Sequence, residues 1–303
     1  MMRRILLTSL DIYIFFLICV LGLIFGSFYN VVILRSLSGE SIVFPGSKCP
    51  KCQQKLKPWH NIPVISYIFL KGKCAFCKEP ISIQYPLIEI ITTILFVVSY
   101  IKFGLEWQTL FSIILCSGLL IMSVTDIKEK LVDCNIAIII AIVGILYNWL
   151  VVGNVLNSIY GLLIAVVIME IMASLGYLFK KGRAFGEADT YVAAALGACF
   201  GLSSLFNILI YTLISAAIFT IPIFLYKQFE SNNKSVCIMS IVFTLAVLLC
   251  KTFTVNWLTF ALLAISGLGL VINILKNIKK QENLTYLPLV PAFYIASLYL
   301  IFF

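Results

Sequence analysis

Lys180-Lys-Gly-Arg-Ala-Phe-Gly-Glu-Ala-Asp-Thr-Tyr-Val-Ala-Ala-Ala-Leu-Gly197 sets two carboxylates, Glu187 and Asp189, between a basic loop and a run apolar enough to enter a membrane. Moving a carboxylate toward hydrocarbon is costly unless it is paired or neutralised, so an acid at this place is a candidate functional group. A helix N-cap is the competing reading for Asp189, because Asp favours that position and its charge suits the positive end of the helix dipole. Position alone leaves both readings open. A second acid brought to the same place would decide between them.

The rest of the chain is that of a polytopic membrane protein. Hydrophobic residues make up 62% and charged residues 12%, with a mean hydropathy of +1.08; soluble domains are roughly 45–50% apolar. Runs near 12–34, 84–104, 109–125, 134–152, 155–179, 204–226, 236–252, 254–275 and 286–303 approach or exceed the length of a spanning helix, and a shorter run lies at 189–203. The expected fold is all-α with about eight to ten transmembrane helices. Met-Met-Arg-Arg at the start resembles a signal-peptide n-region. Asp11 interrupts the apolar part, and the long run without an Ala-x-Ala-like site reads as a retained anchor.

Loop charge sets the expected orientation. With the N-terminus outside, 18 of the 22 Lys and Arg residues fall on the inside; only Arg3, Arg4, Lys102 and Lys251 fall outside. The net charge of +9 is thus a topology signal beside anionic lipid, and no basic face suited to nucleic acid stands out.

Along the first run, Gly22, Gly26 and Ser27 form a small-residue stripe suited to close helix packing, and Asn30 is an amide that needs a partner. Residues 36–83 are the one sizeable polar segment. They carry Cys49-Pro-Lys-Cys52 and Cys74-Ala-Phe-Cys77 with 21 residues between the pairs, a spacing suited to four thiolates on a tetrahedral zinc. The charge count places this loop in the reducing cytoplasm, where disulfides are rare. Four thiolates leave no open position for water, so the zinc is expected to be structural, stapling a segment too small to hold itself together. Two redox pairs or four idle thiols are the alternatives. Cys19, Cys116, Cys134, Cys199, Cys237 and Cys250 lack paired spacing and read as packing residues; His60, the only histidine, reads as structural.

The run 109–125 ends at Thr125-Asp126-Ile-Lys-Glu-Lys-Leu-Val-Asp133, on the same side as 180–188 by the charge count. Asp126 closes one helix and Asp189 opens another, so the two meet if their helices are neighbours. Two close carboxylates do not easily both ionise; one then serves as base toward a water while the other donates a proton, the requirement of aspartyl peptide hydrolysis. Taken alone, Asp126 reads better as an ordinary loop acid at a helix end. Asp133, Glu129 and Glu187 are its rivals, Asp133 suiting the N-cap of the helix that starts near Cys134. Glu89 and Glu170 lie deeper in apolar runs, each protonated or paired across a helix interface.

Four pieces in order resemble the type IV prepilin peptidases, the bifunctional leader peptidase and N-methyltransferase family of GxGD-type membrane aspartyl proteases. Phe25-Gly-Ser-Phe-Tyr-Asn-Val-Val-Ile-Leu-Arg35 is similar to the family's FGSFxNVVxxR signature. The paired Cys-x-x-Cys loop follows, with Ile62-Pro-Val-Ile-Ser66 and Ile83-Gln-Tyr-Pro-Leu-Ile-Glu89 similar to family stretches. Asp126 stands at the first catalytic aspartate, and Gly186-Glu-Ala-Asp189 at GxGD. Ala188 replaces the second glycine, Tyr191 stands where many members have lysine, Leu131-Val132 replaces Ile-Pro, and the proline usual after Arg35 is missing. Pro288-Leu-Val-Pro291 faintly resembles the family's Pro-Phe-Gly-Pro, which makes 236–276 an extra hairpin.

The resemblance implies Asp126 and Asp189 as the catalytic pair. It implies a bacterial inner-membrane enzyme that removes the leader of type IV prepilin or pseudopilin substrates at the cytoplasmic face, then N-methylates the new terminus with S-adenosylmethionine. The division expected is an N-terminal transmembrane helix (1–35), a tetracysteine zinc loop (36–83), a peptidase core (84–230) and further C-terminal helices (231–303). No Rossmann-like glycine loop marks a methyl-donor site. A transporter relaying protons through Glu89, Glu170 and Asp189, and a zinc-stapled scaffold without chemistry, are the readings weighed against it.

Overall fold

The computed structural model describes residues 9–44, 46–180, 186–230 and 289–303. The extra hairpin expected at 236–276, Pro288, Cys237 and Cys250 lie outside the described residues. The described residues are mostly helical: α1 (Ser9–Ser38), a short α2 (Ile65–Phe69) in the polar loop, α3 (Gln84–Phe103), α4 (Trp107–Glu129), α5 (Cys134–Tyr147), α6 (Val155–Lys180), α7 (Glu187–Glu230) and α8 (Val290–Phe302). Among the described residues, six helices are long and apolar enough to cross a membrane. The protein is thus a polytopic membrane protein with its cysteine loop between the first two spans.

Lipid tails are as apolar as leucine, so these helices are held by close packing and by polar contacts between them. The small-residue stripe of α1 does this against α3. A Cβ on Gly22 would lie 2.6 Å from Thr93 Cα, and one on Gly26 would lie 2.6 Å from Glu89 Cα, so a larger residue at either position would force the helices apart. Asn30 finds the partner it needs: its amide donates to the Tyr85 carbonyl at 3.0 Å and to Gly26 at 3.3 Å.

The runs 189–203 and 204–226 are one helical element, α7, broken at Gly201 (φ 71°, ψ 173°). That backbone is open to glycine and strained for any L side chain. The break strands the last carbonyls of the first half, which need partners of their own. Asn148, in a π turn that extends α5, donates to the carbonyls of Ala198 and Cys199 at 3.2 and 3.0 Å, and the Ser158 hydroxyl donates to Ala198. Asn157 accepts from the Ser203 amide at 3.3 Å, satisfying the start of the second half.

The chain reverses at this break. Gly201 sits at the Asn157 end of the bundle, whereas Ser215, in the second half, donates to the Ala292 carbonyl at 3.0 Å at the opposite end. Between those ends, α8 packs against both α4 and α7 and completes one buried cluster with Leu115, Leu119, Met122, Val192, Leu196 and Phe293. Its far end is tied to α3, where the Lys102 ammonium donates to the Ile301 carbonyl at 2.7 Å.

Candidate active site and metal centre

Asp126 occupies the last turn of α4. The helix stops because Lys130 takes a left-handed backbone (φ 55°) and donates its amide to the Asp126 carbonyl at 3.0 Å. The Asp126 side chain is buried, 6% exposed, and its Oδ2 accepts from the Val290 amide at 3.1 Å. Val290 opens α8, and the next residue, Pro291, has no N–H to offer. Asp126 therefore caps the first turn of a helix far away in sequence. Residue-by-residue reading missed this partner; its one signal was the proline pair flanking Leu289 and Val290.

Asp189 is the third residue of α7, not its N-cap. Gly186 holds the cap position, and its amide donates to Asp189 Oδ2 at 3.1 Å while the Asp189 amide donates to the Gly186 carbonyl at 3.2 Å. This is the back-reaching half of a capping box, with aspartate in place of glutamate. Asp189 is also 6% exposed, and the two acids lie close enough for their charges to act on each other. What unites them is less direct contact of α4 with α7 than α8 and α5, which pack on both. Ala188 has ordinary helical backbone, so the turn asks for no glycine at that position.

The rival acids do other work. Asp133 is the N-cap of α5, accepting from the Asn135 amide at 2.9 Å. Glu129 and Glu187 are exposed. Glu170 Oε1 accepts from the Thr190 hydroxyl at 3.3 Å, one residue past Asp189. Glu89 is buried in a different place, beneath the cysteine loop, and its Oε2 accepts from the Val64 amide at 2.7 Å.

In that loop, Cys49 and Cys74 begin two knuckles of the same geometry. Cys49 donates its amide to the Gln54 carbonyl and accepts from Gln53 at 3.0 and 2.9 Å; Cys74 donates to Glu79 and accepts from Lys78 at 2.8 and 3.1 Å. Gln53 and Lys78 hold the matching positive φ values, 58° and 61°. The sulfurs of Cys49, Cys52, Cys74 and Cys77 all lie within 4.8 Å of one another. Four thiolates around a tetrahedral ion at about 2.3 Å stand slightly under 4 Å apart, and the Cys49–Cys77 pair is already at 3.9 Å. The cluster can hold a metal ion. Amides of Cys77 and Phe76 pull the Cys74 thiol down to about 7, favouring the ligating form. The Glu79 amide favours the Cys77 thiolate as well, but burial and three neighbouring thiols outweigh it and push that thiol up to about 11.

Of the unpaired cysteines, Cys199 packs against Gly144, and Cys116 and Cys199 are buried. His60 is held edge-on by Trp59 and Phe76, with ring centroids 6.0 and 5.3 Å away.

Residues 20–103 match the family model described as bacterial peptidase A24 N-terminal domain, and residues 113–221 match the model of the type IV leader peptidase family. Proteins named prepilin leader peptidase/N-methyltransferase are similar over much of the chain. The one from Neisseria gonorrhoeae is 32% identical over 216 residues, 62% of this chain and 75% of that protein. The one from Xanthomonas campestris is 34% identical over 236 residues, 67% of this chain and 80% of that protein. The one from Myxococcus xanthus is 30% identical over 200 residues; the match takes in 66% of this chain but spans only 60% of that relative's length. No solved structure matches the chain at a significant level. By its ordered motifs, its two family-model matches and these relatives, the chain belongs to the type IV leader peptidase family of enzymes.

Proposed function

We propose that the protein is an aspartyl endopeptidase that removes the leader of type IV prepilin or pseudopilin substrates, with Asp126 and Asp189 as its catalytic pair. The observation that carries this reading is the convergence of two buried carboxylates from separate helices, each held through one oxygen by a backbone amide. Such a bond fixes the carboxylate without neutralising it and leaves a second oxygen for chemistry. One acid takes a proton from a water as it attacks the scissile carbonyl, and the other protonates the leaving amine. The loop charges put this face in the cytoplasm, where a basic leader joined to an apolar helix would lie along the helix ends.

The cysteine loop is read as a structural zinc module, since its four thiols and paired knuckles suit that ion and leave no position for substrate. N-methylation of the new terminus is the second activity proposed, in keeping with the relatives' names. S-adenosylmethionine, when bound, supplies a methyl group from its sulfonium to the neutral α-amine, leaving S-adenosylhomocysteine and a proton. The division into anchor (1–35), zinc loop (36–83), peptidase core (84–230) and C-terminal helices (231–303) is retained as a proposal, with α8 supplying a core contact from the last part.

Purified protein, Asp126→Asn and Asp189→Asn are each incubated with a prepilin-like substrate in detergent. The wild type is expected to cut at the leader junction and both variants to lose at least about 1,000-fold in rate, as loss of an essential acid or base requires. Normal cleavage by both variants would remove the dyad.

A further inference from the structure

The cysteine loop carries an apolar face that neither the metal cluster nor the proposed dyad uses. In α2, Ile65, Ile68 and Phe69 follow the i, i+3, i+4 spacing of one helix face, and they are 48%, 66% and 82% exposed. The other side chains of this turn look back into the loop. The Ser66 hydroxyl donates to the Ile62 carbonyl at 2.7 Å, and Tyr67 lies against Gly72. We propose that α2 is an interfacial anchor, its apolar face seated in the leaflet that the loop charges put in the cytoplasm and the neighbouring lysines placed on anionic lipid headgroups.

The depth of α2 points to lipid. Asp11 and Arg35 are the only charged residues of α1 and stand about 36 Å apart along the helix, so the roughly 30 Å of hydrocarbon lies between them. Gly26 is about 13 Å inside Arg35 and packs against the backbone of Glu89. Glu89 in turn accepts from the amide of Val64, the residue that opens α2, at 2.7 Å. Helical side chains lean toward the N-terminus, which for α3 is the loop end. Even with Glu89 reaching a full pitch of ~5.4 Å that way, Val64 lies about 8 Å inside the level of Arg35. A five-residue helix is about 7.5 Å long, so no orientation of α2 carries its backbone out past that level.

Continuity and charge agree with this depth. Near it, α1 and α3 expose Phe28 and Leu87, so the α2 face extends an apolar surface that already belongs to spanning helices. The segment 36–83 holds seven lysines against two glutamates, and Lys71 and Lys73 follow α2 directly. An amphipathic turn flanked by lysines suits a leaflet with anionic lipid: the ammonium groups meet phosphate while their stems lie along the apolar boundary. Seated this way, α2 ties the floor of the loop to the membrane independently of the metal that staples its knuckles.

The test uses full-length protein, one copy per nanodisc, with the fluorescent amino acid acridonylalanine in place of Phe69. Phosphatidylcholine carrying a doxyl group high on its acyl chain is expected to quench the emission, and aqueous iodide to quench it at least about fivefold less than the free fluorophore. Exchanging phosphatidylcholine for phosphatidylglycerol should slow amide exchange across 64–70 by at least about threefold in the wild type, and by less than about 1.5-fold in the Lys71→Gln, Lys73→Gln variant.

Iodide quenching equal to that of the free fluorophore overturns the anchor. So does a fluorophore shielded from iodide that lipid fails to quench, because with one copy per disc only the protein itself is left to cover it. Shielding that appears only on addition of a prepilin-like substrate makes the face a substrate dock and also rejects the proposal. A lysine variant as sensitive to phosphatidylglycerol as the wild type overturns the headgroup assignment. For a labelled protein that does not fold, the wild type decides: an apolar diazirine dissolved in the bilayer should label 65–69 together with α1 and α3, and labelling of those helices that spares 65–69 rejects the anchor.

Discussion

Asp126 and Val290 are joined by a 3.1 Å hydrogen bond across 164 positions of sequence, so the orientation of one proposed catalytic acid depends on how α8 is seated. The seat is made in part by Ser215, whose hydroxyl donates to the Ala292 carbonyl, two residues along from Val290. Ser215→Ala removes that tie without touching either acid. A hydrogen bond of this kind contributes about 0.5–1.5 kcal/mol. Leader cleavage is therefore expected to fall by roughly 2- to 10-fold, mainly in kcat, with zinc content unchanged. An unaltered kcat in steady-state kinetics would show that α8 is seated by its apolar face alone.

Gly201 is required twice over. Its positive φ is open to glycine, and an added Cβ would press into the Asn157 side chain. Gly201→Ala is expected to destabilise the bundle by at least about 1–3 kcal/mol, the usual cost of such backbone strain. The combined Asn157→Ala, Gly201→Ala variant should recover the steric part and keep the backbone part. Unfolding in mixed micelles measures both, and a Gly201→Ala protein as stable as wild type would mean the reversal tolerates another backbone.

Metal removal should act on the loop before the helices. Cys74→Ser is expected to abolish stoichiometric zinc by elemental analysis and to raise hydrogen exchange across 46–83, with α4 through α7 little changed. The stripped protein should also show a pH dependence. The Cys74 thiol sits at about 7 in the folded loop against about 9 ordinarily. Its thiolate thus favours the folded loop fully above pH ~9, and that contribution is lost as pH falls through ~7. Protection factors across 46–83 of the metal-free protein should therefore fall as the pH drops from 9 through 7, and those of Cys74→Ser should lack that dependence. Protection that stays flat from pH 9 to 7 would contradict it.

How far the fold was legible from residues depended on the range of the contact. The spans follow from apolar length, the Gly22/Gly26 face from small-residue spacing, and the cysteine cluster from its two short motifs, all signals contained within one segment. Asn148, Ser158 and Asn157 were opaque because their partners are carbonyls and amides exposed by a break in another helix. The same holds for the proposed dyad. Two acids at helix ends on one side were readable, but their meeting depends on α8, whose role lies in packing on both of their helices and carries no pattern of its own. Asp189 shows a finer limit: propensity suggested a cap, and the chain uses its carboxylate from the third position to reach back to Gly186.

That geometry also settles what Ala188 asks of the turn. In the GxGD pattern a glycine stands at this place, yet here the residue lies within the first turn of α7 with helical backbone, between Glu187 and Asp189. Helical φ and ψ suit alanine better than glycine, by up to about 1 kcal/mol in a helix interior and less near an end. Ala188→Gly should therefore lower stability by less than ~1 kcal/mol and leave leader cleavage within about twofold of wild type. The amide of Gly186, not the flexibility of position 188, is what holds Asp189. A tenfold gain in kcat on restoring glycine would overturn this account, because it would mean that the turn must leave the helical backbone for Asp189 to work.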